Sequence, residues 1–208
     1  MNLRSIVYSV LALIAISPLF LITPIQQPST DPLLEEISVH VNTIEIPQIK
    51  VIEVDVDQMH CLAKNIYFEA RGETTIGKIA VANVTVNRVN DQRFPNTICG
   101  VVHQAVYSTW WKENHDRLVP VRNMCQFTWY CDGKSDTLFL TDTHGNVIKA
   151  NMEAWKESLE LAELALKGEL TDVTNGATHY FNPRLADPYW QHAFVQTAQI
   201  DNHTFFIH

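Results

Sequence analysis

The sequence has no excess of positive charge. It carries 23 acidic residues against 15 lysines and arginines, a formal net charge of −8. Nucleic-acid binding rests on a basic surface, so that class of partner is excluded. Also missing are G-x-S-x-G, a Walker loop, H-E-x-x-H and a nucleotide fingerprint, which removes the motif-bearing hydrolases, NTPases, zincins and dinucleotide enzymes. There are no internal repeats or low-complexity tracts. The four cysteines, Cys61, Cys99, Cys125 and Cys131, form no CxxC pair, and no HxxxH pair accompanies them. Zinc remains the competing use, but an even set without ligand spacing fits two disulfides in an oxidising compartment. Three pairings are open.

What is present describes an exported, folded domain. A hydrophobic fraction of 46% supports a globule, and 208 residues allow one domain of about 150 plus appendages. After Arg4 no charge occurs before Asp31, and residues 6–22 are densely apolar, near the minimum length for a membrane span. Residues 1–23 are therefore expected to be an uncleaved anchor with Arg4 inside. The alternative is a signal peptide cut after Ala15-Ile16-Ser17, although Pro18 would follow the cut directly. Residues 24–57 hold seven acids against Lys50 and contain Pro24, Pro28, Pro32 and Pro47. They are expected to form a stalk, extended by alternation from Ile44 to Val56, that separates the membrane from a domain over 58–208.

The domain is organised around Asn65–Glu73. Met59, Leu62 and Ile66 make a helical stripe that Glu69 continues, with Asp57 as the expected N-cap and Gly72 as the expected left-handed stop. A carboxylate on an apolar stripe is either a paired structural acid or one held out of water, with the raised pKa of a general acid. Residues 75–89 predict a second helix, apolar nearly all round and hence central. Asn83 and Asn87 share one face of it. They either line a cleft with Glu69 or bond to backbone at the edge of the core.

A short helix is predicted near Ile98–Gln104 and a long loop over 105–125. Cys125–Cys131 then brackets Gln126, Phe127, Trp129 and Tyr130. Aromatic faces beside an amide suit a sugar, although Trp129 packing in the core is equally open. Residues 151–167 give a regular amphipathic helix closed by Gly168. Strands are predicted at Ala177–Phe181 and His203–Ile207, with turns at Asn182-Pro183 and Asp187–Trp190.

Five stretches together resemble the SleB-type cell wall hydrolase family, which contains the spore cortex-lytic enzymes. They are Ile66–Glu73, Val86–Val89, Arg93–Val102, Cys125–Trp129 and His179–Pro183, spread in order over roughly residues 58–207. Thr74 stands where relatives often have a proline or similar turn residue, and no peptidoglycan-binding repeat precedes the domain. The resemblance implies an α+β, predominantly helical, lysozyme-like or lytic transglycosylase-like domain with a small β element. It implies cleavage of the N-acetylmuramic acid to N-acetylglucosamine bond in peptidoglycan. No cofactor or metal is expected, and a monomer is the expected state.

Carried onto this chain, the essential glutamate is Glu69. The candidate substrate contacts are Glu73, Asn83, Asn87, Gln126, Trp129, Tyr180 and Asn182, and Glu73 has the competing roles of capping a helix or pairing with Arg71 in support of the turn. A lytic transglycosylase needs only Glu69 as acid and base. A muramidase would need a second carboxylate, for which Glu73 and Asp132 are the candidates. A non-catalytic, membrane-tethered glycan binder using the same aromatics is the rival of another class.

Overall fold

The computed structural model describes residues 53–138 and 140–208. The expected anchor, and the stalk up to residue 52, lie outside the described residues. Among those described, no helix is long and apolar enough to cross a membrane. The extended reading ends before Val56, where helix α1 (Val56–Ala70) begins. Its cap is Asp55, not Asp57. The Asp55 side chain accepts from the backbone N–H of Asp57 and Gln58 at 2.9 and 3.2 Å, and Asp57 sits in the first turn.

Leu62 and Ile66 of α1 are fully buried, as the stripe requires. They pack with Ala82 of α2 (Thr75–Val89), Val101 and Val102 of α3 (Ile98–Val102), and Leu161 and Ala162 of α5 (Lys149–Leu166). Burial of each Leu or Ile side chain is worth about 1.5–3 kcal/mol. The end of α1 differs from expectation, because Gly72 is not in the left-handed region. The helix closes instead through right-handed Arg71, whose N–H reaches the Tyr67 carbonyl at 3.1 Å. Thr74, three residues later, already caps α2, its side chain accepting from the Gly77 N–H. Gly168 does take a positive φ of 73° after α5.

The predicted loop at 105–125 is structured. Strand β1 (Ala105–Tyr107) pairs antiparallel with β2 (Pro120–Cys125), and the short helix α4 (Thr109–His115) lies between them, capped by Ser108. Elements this short leave no readable period. A second sheet has the order β3 (His179–Phe181), β5 (His203–Ile207), β4 (Val195–Ile200), all antiparallel. Strand β4 has no clean alternation, since it is an edge strand with its residues exposed or half-buried.

Central β5 is covered on both faces. Phe205 packs on Ala80 and Val84 of α2, while Phe206 stacks on Phe181 at 5.5 Å. The β4–β5 turn is tied to the start of α2, where Asp201 accepts from the Thr74 N–H and hydroxyl at 2.9 and 2.7 Å. Glycine at position 77 permits this approach, since a Cβ there would stand 2.3 Å from the Asp201 carboxylate and 2.8 Å from the Glu73 Cβ. The cysteines pair as Cys61–Cys99, joining α1 to α3, and Cys125–Cys131, closing the loop after β2. None of the four is left for zinc.

Candidate active site

A cleft of about 700 Å³ opens where the end of α1 meets β3, the Cys125–Cys131 loop and the segment that follows β3. Glu69 lies in the last turn of α1, half-buried, and its Oε2 accepts from the Tyr180 hydroxyl at 3.1 Å. Loss of water pushes its pKa up from 4.5 to about 6, against the opposing pull of the Tyr180 hydrogen bond and the Arg88 charge. Tyr180 is itself held well above its ordinary range, first by burial and then by the neighbouring carboxylate. Its hydroxyl therefore stays protonated and donates. The result is one carboxyl group that changes charge near neutral pH beside a fixed neutral donor.

Arg88, at the last turn of α2, is 2% exposed and also lines the cleft. Its Nε donates to the Thr178 carbonyl at 2.6 Å. The hydrogen-bond network sets the Gln126 amide with its oxygen inward, accepting from Nη2 and Nη1 at 3.0 and 3.3 Å. The guanidinium is packed between Phe94 and Phe127, 5.2 Å from each ring centre. Burial lowers its pKa to about 10, so it remains a cation.

Of the residues singled out in the sequence, Glu69, Glu73, Gln126, Trp129, Tyr180, Asn182 and Asp132 all line this one cleft. Asn83 and Asn87 do not. Asn83 accepts from the Val173 N–H at 3.1 Å, and Asn87 donates to Asp172, Thr174 and the Ala177 carbonyl. Their face of α2 looks toward the 172–177 loop. That is the backbone-bonding alternative, and the sequence could not choose it because the direction of that face depends on what packs there.

Glu73 is not paired with Arg71. Its carboxylate accepts from the Asn202 side-chain amide at 3.0 and 3.1 Å, while Arg71 lies over the Tyr67 ring. Trp129 is only 9% exposed, is stacked on Phe68 at 4.7 Å, and donates its Nε1–H to Asn65 Oδ1 at 3.0 Å. One face of its indole is thus covered, and the ring is shared between core and cleft wall. Asn182 Oδ1 accepts from the Arg184 N–H at 2.9 Å, shaping the turn after β3.

The sequence did not single out Arg88, Phe181, Trp190 or His203 as site residues, yet all four line the cleft. For Arg88 a signal existed. It is the only charged residue between Ile79 and Val89 of a largely apolar helix. His179 packs against Trp190 and Phe194, and burial first, then the nearby Arg88, lowers its pKa to about 4, so it is neutral at pH 7.

A family model described as Cell Wall Hydrolase matches residues 72–206. The chain belongs to that family. The matched region starts three residues after Glu69. This cell wall hydrolase is similar to the spore cortex-lytic enzyme of Bacillus cereus, 30% identical over 149 residues, covering 72% of this chain and 44% of that one. It is also similar to the spore cortex-lytic enzyme of Halalkalibacterium halodurans, 29% identical over 150 residues, covering 72% of this chain and 34% of that protein. The chain thus spans less than half the length of these two relatives. Among solved structures, the catalytic domain of the germination-specific lytic transglycosylase SleB from Bacillus anthracis superimposes with a TM-score of 0.51 at 26% identity. It covers 76% of this chain and 99% of that chain.

Proposed function

We propose that this cell wall hydrolase cleaves peptidoglycan glycan strands between N-acetylmuramic acid and N-acetylglucosamine as a lytic transglycosylase, with Glu69 as its single acid and base. The observation that carries this reading is the half-buried Glu69 carboxyl group in the cleft, titrating near 6 and hydrogen-bonded by neutral Tyr180. Protonated Glu69 gives its proton to the glycosidic oxygen as the C1–O bond breaks, and the bonding pair leaves with that oxygen. The substrate's own N-acetyl group stabilises the oxocarbenium-like carbon. The carboxylate left behind then takes the proton of the C6 hydroxyl while O6 closes on C1, which gives a 1,6-anhydro end and restores protonated Glu69. No water is consumed.

The cleft contains two other carboxylates. Glu73 is occupied by Asn202, whereas Asp132 accepts from the Lys134 N–H at 2.8 Å through one oxygen and lies 3.6 Å from the Lys134 ammonium through the other, an exposed pair that water loosens. Asp132 is therefore the residue through which a muramidase route would run. Mass spectrometry of digested sacculi separates the two routes, since anhydro and reducing ends differ by one water. Anhydro ends are expected. Glu73→Gln and Asp132→Asn should each cost less than the about 10²-fold that marks loss of a general acid or base. Reducing ends, together with a loss of that size at Asp132, would establish the muramidase instead.

The same proposal puts the domain outside the cytoplasm, where its two disulfides persist, and tethers it through the apolar residues 6–22.

A further inference from the structure

Arg88 is a buried cation whose hydrogen bonds all go to neutral acceptors. Among the described residues it forms no direct ion pair with Glu69 or any other carboxylate; its bonds go to the Thr178 carbonyl and the Gln126 amide oxygen. Burying a charge without a partner is costly, and an apolar side chain between Phe94 and Phe127 would avoid that cost. The C-terminal turn of α2 favours a cation, but a lysine would satisfy that equally. What only arginine supplies is a planar fork of N–H donors that binds two groups at fixed angles while keeping its charge.

The two groups it binds matter. Thr178 leads directly into β3, whose Tyr180 donates to Glu69, and Gln126 belongs to the Cys125–Cys131 loop that also lines the cleft. We propose that Arg88 is the positioning residue that allows Glu69 to act twice. It anchors the strand bearing Tyr180 and the wall bearing Gln126, and it supplies the positive charge facing the carboxylate that remains after the first proton transfer. This rests on the reading of Glu69 as acid and base. The remaining titratable groups that line the cleft with Glu69 are Glu73 after α1, Asp132 after β2, His179 and Tyr180 on β3, and His203 on β5. None of these is a fixed cation. His179 and His203 both have pKa values lowered by burial, which leaves Arg88 as the source of positive charge in the cleft.

The test uses Arg88→Met, Arg88→Lys and Gln126→Glu, with two measurements on each. One is the pH dependence of sacculus cleavage, and the other is the NMR titration of the Glu69 carboxyl carbon. Removing the charge in Arg88→Met should move both the titration and the alkaline limb of the rate upward by on the order of one pH unit. The rate at the optimum should fall by on the order of 10- to 100-fold, because the strand and the wall lose their anchor. Arg88→Lys should restore the titration but not the full rate. Gln126→Glu keeps the guanidinium and pairs it with a carboxylate, so the Glu69 titration should again move upward. That variant decides the matter if Arg88→Met does not fold. A titration and limb that stay put in these variants, with Glu69→Gln inactive, overturn the role of Arg88 alone. An active Glu69→Gln overturns the underlying mechanism as well.

Discussion

Glu69→Gln is expected to lose glycan cleavage by about 10²–10⁴-fold, the usual worth of a positioned general acid or base. That corresponds to about 3–5 kcal/mol of transition-state stabilisation. Glutamine preserves the shape and can still accept the Tyr180 hydrogen bond, so the loss would belong to the proton. The same residue gives the native enzyme a pH signature. Its carboxyl group must be protonated to act first, so cleavage should decline as pH rises through about 6.

The stability effect runs in the same direction. The folded pKa is raised from its ordinary 4.5, so the folded state holds the proton more tightly than the unfolded chain does. Whatever stability Glu69 permits is fully present below pH 4.5 and is lost as pH climbs through 6, a cost of about 2 kcal/mol at most by pH 7. Glu69→Gln should therefore be more stable than the native enzyme at pH 7 and no more stable at pH 4. Urea denaturation at the two pH values, beside a cleavage assay on sacculi, measures all of this. A variant that retains activity would remove Glu69 from the mechanism. One that is inactive but unfolded at pH 7 would remove the stability argument.

Trp129→Ala is expected to cost about 3–5 kcal/mol of folding stability. The side chain is buried against Phe68, and its N–H is the partner of Asn65 Oδ1. Asn65 is fully buried and passes the network on through its amide to the Thr85 hydroxyl at 3.1 Å, so truncation also strands a buried acceptor. Trp129→Phe separates the two contributions. It keeps an aromatic ring against Phe68 and loses only the hydrogen bond, which should cost about 1–3 kcal/mol. Both values come from chemical denaturation, read beside the KM for soluble glycan fragments. A Trp129→Ala protein that folds with native stability but binds glycan poorly would show that the indole is a sugar platform. The packing predicts the opposite balance, with stability lost first and the cleft wall disturbed as a consequence.

Much of the scaffold is legible without coordinates. Residues 75–89 are helical over the whole predicted span, and 98–102 and 149–166 agree with prediction to within a turn. Strands β3 and β5 lie where alternating and aromatic residues place them. These patterns are local, because a helix declares itself through residues three or four apart and a strand through every second one. Periodicity marks Glu69 only as an acid continuing an apolar stripe, and it is the family resemblance that singles it out as the candidate acid.

The elements that were missed, β1, α4, β2 and β4, are short or exposed, and their stability comes from pairing with distant partners. Which cysteine meets which, whether Asn87 faces a cleft or a loop, and what Glu73 binds were equally out of reach. Each of those contacts spans from several to well over a hundred positions of chain, and each depends on the rotation of one packed element against another. The sequence by itself determined the helical frame and, through the family resemblance, named Glu69 as the candidate acid. Only the tertiary structure decided what surrounds that acid: it removed the water that would have kept Glu69 an ordinary carboxylate, brought the Tyr180 hydroxyl onto it and placed Arg88 in the same cleft, both from elements more distant in the chain.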